Sequence, residues 1–173
     1  MAKRLPITAE TTSEDKRQAA SKIVAVFGKR ADMELANICH ARDKAAGAIV
    51  SHNEATAAED AALWIGMISY GQAKQAWFRH CVSVLIGRER GTATLSFSER
   101  LEYVKSELTA RVERLAFASL GFNAPQAEAD KTFIAHTREQ GTKVAYQDTI
   151  EMLRHFAECI AVDGLNDDVT NCS

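Results

Sequence analysis

The chain has 173 residues, of which 46% are hydrophobic and 25% charged, with 2 prolines, 9 glycines and a formal net charge of -2. These values are typical of a single globular domain, and they exclude wholesale disorder, collagen-like repeats and other low-complexity architectures. The small negative charge also gives no support to a protein that binds bulk polyanions.

The ends of the chain differ from its middle in composition. Residues 1–12 have a basic start at Lys3 but lack the apolar segment of a secretory signal, so we expect a flexible arm on a cytoplasmic protein. One helical domain is predicted over 13–165, followed by a polar tail over 166–173. The longest uncharged run, 61–73, is too short to cross a bilayer.

Helix-start signals place the first three helices. Ser13 precedes two acidic residues, as is typical of a first helical turn, and Gly28 is expected to end that helix. Asp32 caps a second predicted helix. Ser51 and Thr56 each begin a capping-box pattern, so a third helix is predicted to begin in that window.

The third predicted helix carries the strongest apolar pattern in the chain. From Leu63 to Ile86 the apolar residues cover most of the helix circumference, which predicts a helix buried at the centre of a bundle. Gly66 and Gly71 each cost about 1 kcal/mol relative to alanine inside a helix, so packing must compensate for them. We expect these glycines to allow another helix to approach closely.

The next segment supports two interpretations. Residues 82–86 and 92–97 are rich in strand-forming side chains, and the second run alternates polar with apolar residues. With Gly87–Gly91 between them, they could form a β-hairpin in a mainly α protein. The preferred interpretation is a helix followed by a loop.

Three further helices complete the predicted fold. Ser96–Glu99 is a capping box that opens a helix, and Gly121 is expected to end it. Another helix is predicted from Asn123 to Gly141, and a last one over 142–162. The first of the three carries an apolar line with 3.6-residue spacing, typical of a bundle and not of a coiled coil. Mixed charges fill its other faces: Glu99, Arg100, Glu102, Lys105, Glu107, Arg111, Glu113 and Arg114. The sequence therefore predicts an all-α single-domain bundle of five or six helices around a central apolar helix.

Three pairs of cysteine and histidine are candidate metal ligands: Cys39 with His40, His80 with Cys81, and His155 with Cys159. Neighbouring residues on a helix point about 100° apart, so each adjacent pair offers only one ligand to a given point. No CxxC or HxxxH motif supports them. We therefore interpret the cysteines as free, small, buried hydrophobic residues, and we predict no metal ligand and no cofactor.

No catalytic motif is present in the sequence. The chain lacks the Glu-x-x-His motif of di-iron bundles, the GxSxG nucleophile motif, a Walker A loop and GxGxxG. We therefore predict no catalytic residues and no enzymatic activity. An enzyme with an unrecognised Cys/His site is the third hypothesis for function.

The preferred hypothesis is a non-enzymatic regulatory, adaptor or inhibitory protein that binds another protein or a macromolecular complex. Arg88 and Arg90 lie in a charged loop framed by glycines, and Lys74 and Arg79 add positive charge on the preceding helix. These four residues are the predicted partner-binding residues. The alternative is a nucleic-acid-binding regulator that uses the basic loop. A membrane partner is not expected, and homo-oligomerisation stays open.

Overall fold

The computed structural model describes residues 13–50, 54–120 and 132–159. They form four helices: α1 (Ser13–Ile49), α2 (Glu54–Leu85), α3 (Phe97–Leu120) and α4 (Phe133–Cys159). No strand occurs in these three ranges, so the prediction of an all-α fold is confirmed. Several predicted features lie outside the described residues: the arm over 1–12, the tail over 166–173, the helix ends at Ser51, Gly121, Asn123 and Val162, and Cys172.

α1 packs antiparallel against α2, with which it makes its main contact. Glu34 of α1 forms an ion pair with Lys74 of α2, with 2.7 Å between Oε1 and Nζ. Further along α1, His40 meets the edge of the Trp64 ring, with 6.0 Å between ring centroids. Residue numbers thus rise along α1 as they fall along α2, as expected for two helices joined by a short connection.

α4 runs parallel to α2, and α3 covers only part of both. Phe133 of α4 lies beside Gly66, and Thr149 accepts a hydrogen bond from the Trp77 indole N–H, with 2.8 Å between Nε1 and Oγ1. α3 contacts α2 between Trp77 and Leu85, the C-terminal part of that helix. The described fold is therefore a bundle of α1, α2 and α4, with α3 packed at one end.

The described residues form four helices where five or six were predicted, because two expected helix ends lie inside helices. Gly28 is within α1 and Gly141 within α4. A glycine that ends a helix usually adopts a positive φ, and among the described residues only Gly87 and Gly91 do so. Beyond Gly28 the chain stays helical because its small residues remain buried: Ala31, Ala41 and Ala45.

α2 is less completely buried than the predicted central helix. It contacts all three other helices, but Leu63, Ile65 and Met67 in its N-terminal half are 40–52% exposed. The α3 contacts named above all lie in the other half of α2, between Trp77 and Leu85.

The glycines of α2 act as predicted. A Cβ added to Gly66 would lie 2.5 Å from the Phe133 ring, and one added to Gly71 would lie 2.8 Å from Ile38 Cγ1. Glycine at these positions therefore allows α4 and α1 to approach α2 closely, which confirms the expectation drawn from the sequence.

The β-hairpin interpretation of 82–97 is wrong. α2 continues to Leu85, residues 86–96 form a hydrogen-bonded turn, and α3 begins at Phe97. The capping box that opens α3 is confirmed: the Ser96 amide donates to Glu99 Oε2 at 2.7 Å, and the Glu99 amide donates to Ser96 Oγ at 3.1 Å. Strand-forming side chains here are helical because Val84 and Leu85 are fully buried in the bundle.

The buried core contains side chains from all four helices, among them Phe27, Phe78, Leu101 and Phe156. Near the end of α4, Met152, Leu153 and Phe156 are also buried.

Leu108 provides a test of how firmly α3 is held in this core. Its side chain is 4% exposed, whereas Val112, one turn further along α3, is 37% exposed. We expect Leu108→Ala to lower the free energy of unfolding by about 2 kcal/mol, near the low end for such truncations, because the neighbouring surface can relax. Urea denaturation measures this, with Val112→Ala as the control that should cost less. Equal losses for the two variants would contradict the observed burial.

Candidate functional site

The turn over 86–96, which we call the arginine turn, has a defined backbone conformation. Gly87 and Gly91 adopt φ values of 74° and 84°, a region that favours glycine. The Arg88 amide donates to Ser83 O at 2.8 Å, and the Thr92 amide donates to Glu89 O at 3.0 Å. These bonds tie the turn to the last turn of α2 and to itself.

Arg100 of α3, whose side chain is fully buried, also stabilises the turn. Its guanidinium donates to three backbone carbonyls: from Nε to Thr92 O at 3.0 Å, from Nη1 to Leu85 O at 3.4 Å, and from Nη2 to Ala93 O at 3.2 Å. Gly87 lies directly against it, since a Cβ there would be 2.8 Å from Arg100 Cζ. In the sequence Arg100 belongs to the mixed charges on the faces outside the apolar line of its helix, but in the structure it is buried.

The structure brings together two of the four predicted partner-binding residues. Arg88 and Arg90 are both exposed on the arginine turn, and Arg79 is exposed on α2. Lys74 is placed differently, since its side chain is 12% exposed and its ammonium lies 2.7 Å from Glu34 and 3.7 Å from Asp148. Burial lowers the pKa of Lys74, but the hydrogen bond and charge of Glu34 outweigh it and raise the pKa overall. Lys74 therefore joins α1, α2 and α4.

A histidine cluster beside the turn was not predicted. His80 of α2 lies between two carboxylates: its Nε2 is 2.6 Å from Glu107 Oε2 on α3, and its Nδ1 is 3.6 Å from Glu89 Oε2 in the turn. In the sequence, His80 stands out only as the neighbour of Cys81. Glu107 is 27 residues away along the chain, so no local sequence pattern predicts its contact with His80.

Aromatic side chains form the inner wall of this cluster. The Arg111 guanidinium lies over the Trp77 ring at 5.1 Å, and the Tyr146 ring of α4 meets Trp77 edge-on at 4.8 Å. Arg111 also donates from Nε to Glu107 Oε1 at 3.1 Å. Burial lowers the pKa of Arg111, but its hydrogen bonds to Glu107 and Tyr146 outweigh burial and raise it. The cluster thus links α2, α3 and α4 through charge and ring contacts.

Glu107 should make the stability of the fold depend on pH at acidic values. Partial burial acts to raise the pKa of Glu107, but hydrogen bonds from His80 and Arg111 outweigh burial and lower it. A lowered pKa contributes stability above the unfolded-state pKa, and this contribution is lost as pH falls through the folded-state pKa. We expect Glu107→Gln to cost about 1 kcal/mol at about pH 6, and the cost to shrink towards pH 3. Urea denaturation across this range measures it; Glu113→Gln, an exposed control on α3, should show no such pH dependence.

The thiol of Cys81 is poorly suited to act as a nucleophile. Burial, with a smaller contribution from Glu107, raises the pKa of the Cys81 thiol far above its usual value, which disfavours the reactive thiolate. Cys39 is a half-buried free thiol. Within 13–50, 54–120 and 132–159, no group of three or more histidine, cysteine or acidic side chains could hold a metal ion.

Several large apolar side chains are exposed on α2 and α4. Leu63, Ile65 and Met67 of α2 and Phe133 and Ile134 of α4 are 40–52% exposed. The two helices meet near Gly66, with the Phe133 ring beside the Gly66 backbone. The five side chains do not form one surface, because Ile65 points about 160° away from Leu63 around the helix axis.

Comparisons with family models, with curated proteins and with solved structures found no match to this chain. None of the helices in the described ranges is both long enough and apolar enough to cross a membrane.

Proposed function

We propose that the protein is a non-enzymatic regulatory, adaptor or inhibitory protein that binds another protein through the arginine turn. The observation that carries this proposal is a turn fixed by the buried Arg100, on which both Arg88 and Arg90 are exposed. Arg79 adds a further exposed charge on the adjoining helix.

A fixed turn suits this function because binding then requires little further ordering of the backbone. The cost of immobilising a loop is one of the main terms that oppose association. Arginine is also among the residues that dominate binding free energy at protein interfaces, because its planar guanidinium makes several directed hydrogen bonds. Two arginines on a preorganised turn therefore support recognition of an acidic or carbonyl-rich surface.

The charge distribution favours a protein partner over a nucleic acid. Glu89 lies between the two arginines in sequence, and the charge of Lys74 is balanced by Glu34 and Asp148 within the bundle. The net charge of -2 also differs from the basic footprint of most nucleic-acid-binding domains. The exposed apolar side chains of α2 and α4 are also suited to contact with protein.

The test is a binding titration with single alanine variants of Arg88 and Arg90. The partner is first captured from a native cell extract, with and without nuclease, and then titrated at about 50 and about 200 mM salt. We expect one arginine to account for most of the effect, with a loss of about 30-fold, while the other changes affinity by less than about threefold. Arg138→Ala is the matched control, since Arg138 is an exposed arginine in the N-terminal part of α4.

The alternative function, nucleic-acid binding, predicts different results in this titration. Contacts to phosphates would give equal losses for the two variants, each reducing the salt dependence by about one unit of slope. Capture that depends on intact nucleic acid would point the same way. These outcomes would replace the proposal with a nucleic-acid-binding function of the same turn.

A further inference from the structure

The carboxylate between the two arginines is directed towards the bundle. Glu89 Oε2 lies 3.6 Å from His80 Nδ1, and the side chains are 38% and 25% exposed respectively. The backbone of Glu89 is part of the turn framework, since its carbonyl accepts from both the amide and the hydroxyl of Thr92 at 3.0 and 2.7 Å. The position of the Glu89 side chain therefore affects both the conformation of the arginine turn and the charge that the turn exposes.

His80 can satisfy both of its carboxylate neighbours only when the imidazole is protonated. A neutral imidazole carries one N–H, and the 2.6 Å contact with the ionised Glu107 places it on Nε2. Nδ1 then presents a lone pair to Glu89. The protonated ring carries a second N–H on Nδ1 and attracts Glu89. The other titratable groups of the cluster are Arg111 on α3, Tyr146 on α4 and Cys81 on α2.

We propose that His80 is a pH-sensitive switch that controls the position of Glu89 and thereby the charge presented by the arginine turn. Its contact with Glu107 persists in both protonation states and keeps the ring in place. Its contact with Glu89 forms on protonation and weakens when the proton is lost.

The consequence for binding rests on the proposed function of the arginines. With His80 protonated, Glu89 is paired inward, and the turn presents Arg88 and Arg90 without a neighbouring free carboxylate. With His80 neutral, Glu89 is released and competes for the same arginines. Binding of an acidic partner surface should then be tighter at mildly acidic pH than at neutral pH.

The switch is tested on the free protein by NMR. Hydrogen exchange of the Arg88, Glu89 and Thr92 amides is measured at about pH 5.5 and about pH 7.5, corrected for intrinsic rates and normalised to amides of α1. We expect these amides to be protected about two- to fivefold more at the lower pH, because a partly exposed ion pair contributes little more than that. Their chemical shifts should follow the same titration curve as the His80 ring signals.

Two variants separate this switch from general effects of pH. His80→Gln keeps an amide donor for Glu107 but cannot gain a proton, and Glu89→Gln removes the charge that His80 attracts. Both should show equal protection at the two pH values. Equal protection in the wild type, or pH-dependent protection retained in both variants, would overturn the proposal. No partner is needed, so a failure of the switch and a failure of the proposed binding function are seen in different experiments.

Discussion

Replacing Arg100 with alanine is expected to lower the free energy of unfolding by about 5 kcal/mol, a large fraction of the stability of a domain of this size. Arg100 is 1% exposed, and its guanidinium donates to the carbonyls of Thr92, Leu85 and Ala93. Without it, Leu85 O and Ala93 O lose this donor, while Thr92 O still accepts from the Leu95 amide at 3.1 Å. Each lost hydrogen bond costs about 1 to 3 kcal/mol where water cannot replace it. A cavity adds to the loss.

The position of Arg100 at the end of α2 strengthens this expectation. The Leu85 carbonyl is the last of α2, where the helix dipole places partial negative charge. A buried cation there is favoured by the field of the helix as well as by its hydrogen bonds. Arg100 thus holds the end of one helix, the arginine turn and the start of α3 together.

Two control variants make the Arg100 experiment specific. Arg100→Lys keeps the charge but replaces a planar group by a single ammonium, which cannot reach three carbonyls in this arrangement, so an intermediate loss is expected. Arg114→Ala removes an exposed arginine from the same helix and should change stability by less than about 0.5 kcal/mol. Urea denaturation followed by circular dichroism measures all three. If Arg100→Ala lowers the free energy of unfolding by less than about 2 kcal/mol, the turn keeps its conformation without the guanidinium.

The sequence predicted the parts of this fold that depend on local pattern. The Ser96–Glu99 capping box needs two residues three apart, and the apolar line through Leu101 and Leu108 needs only helical spacing. Arg100 adjoins that line, and in the sequence it resembles any charged residue beside an apolar line. In the structure it donates hydrogen bonds to carbonyls of the arginine turn. Only tertiary packing places these carbonyls beside Arg100, so the sequence pattern does not predict its burial.

In the candidate site, too, the features that depend on local pattern were predicted and those that depend on tertiary packing were not. The charged loop that holds Arg88 and Arg90 was predicted from the sequence because glycines frame it locally, and the role of the two arginines in binding stays a prediction. The His80 cluster was missed because its partners come from two other segments, Glu89 in the turn and Glu107 on α3. An isolated histidine on an apolar helix gives no local sign of such a pairing.

The helix ends predicted at glycines were the least accurate predictions from local pattern. Gly28 and Gly141 were both predicted to end helices, and both lie inside them, yet their surroundings differ. Nothing lies within 4 Å of a Cβ added to Gly28, whereas one added to Gly141 meets the backbone of Tyr70. Only the second glycine is required by packing, and a substitution experiment can show this directly.

Gly141→Ala is expected to lower the free energy of unfolding by about 3 kcal/mol, although alanine is the better helix former by about 1 kcal/mol. The added Cβ would overlap the Tyr70 carbonyl oxygen and lie 3.0 Å from the Tyr70 Cα and carbonyl carbon. These are backbone atoms of α2, so no side-chain rotation relieves the overlap. α4 must move away from α2, which also strains the Trp77–Thr149 hydrogen bond.

The matched controls for Gly141→Ala are Gly28→Ala and Gly47→Ala in α1, where an added Cβ meets no atom within 4 Å. Helix propensity then acts alone, and each should raise the free energy of unfolding by about 0.5 to 1 kcal/mol. The same chemical change is thus expected to have opposite signs in α4 and α1, as measured by urea denaturation. A stabilising Gly141→Ala would mean that α4 does not approach α2 as closely as described, and the packing of Thr149 and Tyr146 around Trp77 would have to be revised with it.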